Sequence, residues 1–112
     1  MAVSSALFVN KQEIIDVIDQ IAKELAPDVI FIGFSIADDW MGKPSLFFRV
    51  LLSDEASRFG IIRKTANRVE KLTRERLQPE QRWDLHPFFD YRSKSEQADL
   101  QDPAWEGHAI FR

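Results

Sequence analysis

Two apolar runs, VIFIGFSI at 29–36 and LFFRVLL at 46–52, flank one short polar insert, and few folds accommodate that arrangement. Side chains alternate across a strand, so Ile30, Ile32, Phe34 and Ile36 share one face, assigned to the core, while Val29, Phe31, Gly33 and Ser35 share the other. In the second run Leu46, Phe48, Val50 and Leu52 make the core face, opposite Phe47, Arg49, Leu51 and Ser53. Both runs are bulky on both sides, which predicts partial cover for the second sheet face too. The insert from Asp38 to Pro44, with Gly42 two places before the proline, has the length and chemistry of a hairpin loop.

Around this hairpin a helical period recurs twice. Asn10 with Glu13 resembles an N-cap and its reciprocal acid, and Ile14, Ile18, Ile21 and Leu25 follow at helical spacing until Ala26-Pro27. A second helix is predicted from Ser53 or Asp54 to about Leu77, with Phe59, Ile62, Ala66, Val69 and Leu72 facing the core and Gln78-Pro79 closing it. A third strand is predicted over 83–91, placing Trp83, Leu85, Pro87, Phe89 and Tyr91 on one face; Pro87 marks an edge. If the strands flanking the second helix lie parallel, that helix is a right-handed crossover. The predicted fold class is α+β: a two-layer α-β-β-α-β domain over residues 1–92, a three-stranded mixed sheet with two helices on one face. Residues 93–112 read as a C-terminal tail, packed on the domain or fraying from it, with a short helix over Glu96–Leu100 capped by Ser95.

The 112 residues suffice for one domain around one core. The absence of cysteine removes disulfides, thiolate metal sites and thiol nucleophiles together, and fits a reducing compartment. The first ten residues lack the basic start and apolar run of an export signal, and no apolar segment approaches the ~20 residues a membrane helix requires. A cytoplasmic protein without membrane association is expected.

Polar groups that could carry chemistry are few. Asp38 and Asp39 end the first strand, where an irregular turn could aim both at a divalent ion; ordinary turn chemistry, with side chains bonding nearby amides, is the competing reading. Asp84, His86 and Asp90 share a strand face, either as part of a metal or acid–base set or as the solvent face of an edge strand. His108 adds no partner that can be placed. The chain has no Gly-x-Ser-x-Gly elbow, and its four scattered glycines form no phosphate-binding loop. Arg63, Arg68 and five further cations make the second helix basic within a chain of net charge −3, yet no aromatic stacking pattern accompanies them, which argues against nucleic acid. Trp40 and Met41 occupy the hairpin loop, either as an exposed interface anchor or folded back on Phe47 or Phe31.

The order helix, strand with Gly33-Phe34-Ser35, second apolar strand, long helix, then Trp83-Asp84-Leu85 resembles the small nucleotidyltransferase-fold domains that accompany HEPN-type proteins in bacterial toxin–antitoxin-like pairs, over residues 10–92. The resemblance implies a Gly-Ser pair after the first strand, a paired Asp-x-Asp entering the second and a third acid later, together holding magnesium and a nucleotide triphosphate. Here Phe34 separates Gly33 from Ser35, the segment Gly42–Phe47 contains no acid, and Asp84 alone matches the third carboxylate. A member of that family with these residues would have lost its catalysis and kept its partner.

The leading expectation is therefore a small cytoplasmic protein-binding module without a cofactor, the antitoxin-like partner of another protein, using Trp40, Met41, Arg63 and Arg68, with a homodimer permitted. The alternative is a nucleotidyltransferase acting with Mg²⁺ and ATP through Asp38, Asp39 and Asp84. A third is nucleic-acid binding through the second helix.

Overall fold

A computed structural model describes residues 9–107. Helix α1 (Lys11–Glu24) starts where Asn10 accepts a hydrogen bond from the Glu13 backbone amide at 3.1 Å. The Glu13 carboxylate does not reach back to close a capping box. It takes both amino groups of Arg82, at 2.6 and 2.7 Å, which holds its pKa below the usual carboxylate value. Strand β1 (Val29–Asp38) and strand β2 (Pro44–Leu52) pair antiparallel with Phe34 opposite Phe48 and Ile36 opposite Leu46, as their alternation predicts. Helix α2 (Ile62–Leu77) then crosses to strand β3 (His86–Ser93), which lies parallel to β2 in a sheet of order β1-β2-β3. The class is α+β with a three-stranded mixed sheet, and Pro87 sits on an edge strand, where its missing amide hydrogen costs least.

The core lies between this sheet and the two long helices. Ile14, Ile18 and Ile21 of α1 meet Ile32 and Phe34 of β1, Phe48 and Val50 of β2, and Val69 and Leu77 of α2. Four expectations are corrected. Ile30 is 45% exposed rather than buried, because the register slips between Val29 and Phe31; this bulge gives Val29 the core position. Helix α2 begins at Ile62, eight residues after the predicted cap at Asp54. Ser53 does cap, but only a turn ending at Gly60, whose φ of +87° interrupts the chain and leaves Phe59 fully in solvent. Trp83 belongs to a short helix, α3 (Pro79–Trp83), so β3 begins three residues later than predicted. Proline at the first helical position, where its missing amide hydrogen leaves no bond unmade, is what starts α3 directly behind α2.

The described residues cover the sheet's second face over part of its length. Ser93, not Ser95, caps helix α4 (Lys94–Leu100), and a 3₁₀ turn at Pro103–Trp105 follows. Trp105 is buried there, with the Arg92 guanidinium 4.3 Å above its ring. Arg49 ties this layer to the sheet: it donates to the Ala104 carbonyl at 2.7 Å, the Ser35 hydroxyl at 2.5 Å and the Phe34 carbonyl at 3.0 Å. Burial lowers the Arg49 pKa, with Asp102 opposing the shift. Gly33 leaves room for the Phe31 ring, from which a β-carbon would stand only 2.9 Å, whereas the Ala104 carbonyl of the tail, at 3.7 Å, would be in ordinary contact. His108 and the first eight residues lie outside the described residues. Among the described residues no helix is long and apolar enough to cross a membrane.

Arg49→Met should lower the unfolding free energy by about 2–4 kcal/mol, because it leaves buried acceptors without their charged donor. Amide exchange should rise first over residues 94–106; if α1 and α4 lose protection together, Arg49 does not act through the tail. Tyr91, the chain's one tyrosine, donates to Glu70 at 2.6 Å, and burial, then that carboxylate, raises its pKa above the ordinary 10.0. A raised folded-state pKa means that this stability is complete below pH 10 and declines as alkali ionises the unfolded chain first. In an alkaline titration the phenolate absorbance should appear together with loss of helical circular dichroism; ionisation near pH 10 in a still folded protein would contradict the buried hydrogen bond.

Candidate functional site

Among the described residues, the cover supplied by the tail ends at Arg49, and towards the hairpin the second face continues as a half-buried aromatic strip. Parallel pairing puts Phe47 beside Phe88, and their rings stack with centroids 5.1 Å apart. His86 meets the same Phe88 ring edge-on at 4.7 Å, and Trp40 tilts against it at 5.6 Å. Trp40 therefore leans on Phe88, not on Phe47 or Phe31 as the folded-back reading expected. The contact covers little of it: Trp40 remains 80% exposed and Met41 74%.

The loop that carries them is fixed by its own backbone. The Asp39 carboxylate accepts from the Met41 and Lys43 amides at 2.8 and 2.9 Å, the Asp39 amide donates to the Lys43 carbonyl at 2.8 Å, and Gly42 takes the positive φ of +80°. This is the turn chemistry anticipated for an acid at this position, and it engages one of the Asp39 carboxylate oxygens.

Beside the aromatic strip opens a cavity of about 360 Å³. Its lining combines Trp40, Pro44, His86 and Phe88 with the charged Asp39, Lys43, Glu80 and Asp84. Asp84 arrives as the C-cap of α3 in the left-handed conformation, φ 52°, and not as a strand residue. Glu80 comes from the same short helix and faces the His86 ring at 3.3 Å. Of the three acids of the magnesium reading, Asp39 and Asp84 share this cavity, while Asp38 is exposed at the end of β1 and does not line it. Asp90 accepts from the adjacent Tyr91 amide at 2.9 Å. Among the described residues no three histidine or acidic side chains stand together as a group that could hold a metal ion.

The basic helix does not join this surface. Arg68 pairs with Asp28 at 3.3 Å, just before β1, and a ten-residue strand separates that point from the hairpin by roughly 30 Å. Arg63 lies one turn earlier, at the start of α2. Arg76 is occupied bidentately by Glu24 at 2.5 and 2.8 Å, and Arg74 pairs with Glu70 at 3.4 Å while lying over Phe89. The four residues expected to form one partner surface are thus divided between two ends of the molecule.

Sequence reasoning missed Glu80, Lys43 and Phe88 as neighbours of Trp40. Strand alternation puts Phe88 on the face given to His86 and Asp90, and the parallel register with β2 brings that face to Phe47. Pro79 at a helix start is the signal that would have revealed α3, and with it Glu80 and Asp84. In the comparisons with known proteins, no family model, curated protein or solved structure matches this chain.

Proposed function

We propose that this protein is a recognition module, the non-catalytic, antitoxin-like member of a pair with another protein, and that the hairpin loop and the adjoining aromatic strip are its contact surface. The exposure of Trp40 and Met41 on a loop whose backbone is already fixed carries this reading. A large aromatic side chain left in water costs hydration free energy that a partner would recover, and burying tryptophan and methionine in a desolvated contact is how interfaces acquire most of their affinity. Continuity of Trp40 with Phe88 and Phe47 extends the contact into a patch on a rigid sheet, which a partner can cover without ordering a flexible segment. Arg63 and Arg68 belong to the far end of α2 and are not needed for it.

One observation favours a second reading, metal-dependent nucleotide chemistry: Asp39 and Asp84 line the same cavity. It would need a third ligand from bound nucleotide. Perturbation of the Asp39 and Asp84 resonances by Mg²⁺ with ATP, lost in Asp84→Asn, would support that reading over recognition.

The test of recognition is co-purification from the native host with two paired variants. Trp40→Ala with Met41→Ser should keep the melting temperature and weaken the recovered complex at least about thirtyfold, the equivalent of losing one interface hot spot. Arg63→Ser with Arg68→Ser should retain it. Retention by the hairpin variant and loss by the helix variant would move the contact surface to α2.

A further inference from the structure

The cavity beside Trp40 is lined by two unlike kinds of residue, and together they define what it can hold. One kind is the rings of Trp40, Phe88 and His86; the other is the acids Asp39, Glu80 and Asp84, with Lys43 among them. An apolar side chain would cover the rings and strip water from the carboxylates with nothing to replace it. An anion would meet both the acids and the negative faces of the rings. A cation satisfies both at once.

Resting on the recognition reading above, we propose that this cavity receives an arginine side chain of the protein partner. Arginine fits better than a compact ammonium because its planar guanidinium lies flat on an aromatic ring while its edge donates in parallel to a carboxylate. The chain already makes the first of these contacts elsewhere, with Arg92 at 4.3 Å over Trp105 and Arg82 at 4.4 Å over Trp83. In those pairs the guanidinium also reaches an acid or amide oxygen: Arg82 takes Glu13, and Arg92 donates to Gln97 at 2.8 Å. Among the described residues that line the cavity, rings and carboxylates are present and no guanidinium is. Asp84 and the Glu80 oxygen turned away from His86 would bind the incoming group, since the Asp39 carboxylate is engaged by two turn amides.

The probe is N-acetyl-arginine amide, titrated against the isotope-labelled full chain and followed at the Trp40 indole N–H and the His86 and Phe88 ring signals. N-acetyl-citrulline amide, neutral and nearly isosteric, is the control. The expected result is saturable binding in the millimolar range, at least about fivefold tighter for arginine than for citrulline and weakened by salt. Glu80→Gln with Asp84→Asn should weaken arginine binding by about fivefold without unfolding, since both residues are exposed and asparagine tolerates the left-handed position of Asp84. Equal shifts with citrulline would show a plain apolar groove and overturn the assignment, as would no shift at all. Line broadening that grows with protein concentration alone would identify a second copy as the occupant and overturn it too. In the co-purification assay, a complex lost with Trp40→Ala but retained with the Glu80→Gln, Asp84→Asn variant would sink the arginine and leave the recognition surface standing. Loss with neither variant would sink the surface itself.

Discussion

Phe34 stands opposite Phe48 and Ile36 opposite Leu46, and because side chains alternate along a strand, a slip of one residue would turn this whole row out of the core and bring Arg49 into it. That register is therefore strongly fixed, and much else follows from it. It sets which end of the sheet receives the Asp39–Lys43 turn, and it aligns Phe47 on β2 to meet Phe88 on β3. It also sends Arg49 to the second face, where a guanidinium needs acceptors and the tail supplies one in the Ala104 carbonyl. The core and the candidate site are thus opposite faces of one alternation.

The second face is where the fold makes its compromise. A three-stranded sheet with helices on one side leaves the other side to solvent unless something covers it. Residues 93–107 cover the half that carries Arg49, Leu51 and Arg92, using Trp105 as the apolar weight and Gln97 as the polar tie, donating to the Asp102 carbonyl at 2.7 Å. Phe47 and Phe88 lie beyond that cover and remain only half-buried. Among the described residues, the aromatic strip is what 93–107 leave uncovered, and the hairpin adds Trp40 to its end.

Alternation and the Asn10 cap were legible in the sequence because they are local. The hairpin, the parity of β2, the Asn10 cap and the end of α2 at Gln78 all depend on residues within a few positions of one another. What escaped was set by the chain's irregularities or by distant partners. The bulge that turns Ile30 outward leaves no mark in a run where Val29, Ile30 and Phe31 are all apolar. Phe59 kept helical spacing with Ile62 and Ala66, but Gly60 ended that register before the helix began. Thr65 and Thr73 read as polar yet are buried, Thr73 satisfying its hydroxyl on the Val69 carbonyl at 2.7 Å. The candidate site was half legible for the same reason: Trp40 and Asp39 lie in one loop, whereas Glu80, Asp84 and Phe88 reach them only through a parallel strand pairing that no local pattern encodes.

The way charge is used at the two ends of the molecule bears on the proposed role. On α2 and α3, three of the cations pair across the fold: Arg76 with Glu24, Arg82 with Glu13 and Arg68 with Asp28. Each of these pairs joins segments distant in sequence, and being partly exposed each adds only modestly to holding them together. At the cavity the balance reverses, with Glu80 and Asp84 outnumbering the one ammonium of Lys43. An excess of one sign beside desolvating rings raises the local concentration of the opposite sign and orients an approaching partner before contact. Because the Asp39 turn and the Phe88 ring already hold Trp40 in place, that encounter would meet a surface needing little further ordering, and the free energy of burying the tryptophan would go into affinity rather than into arranging the loop.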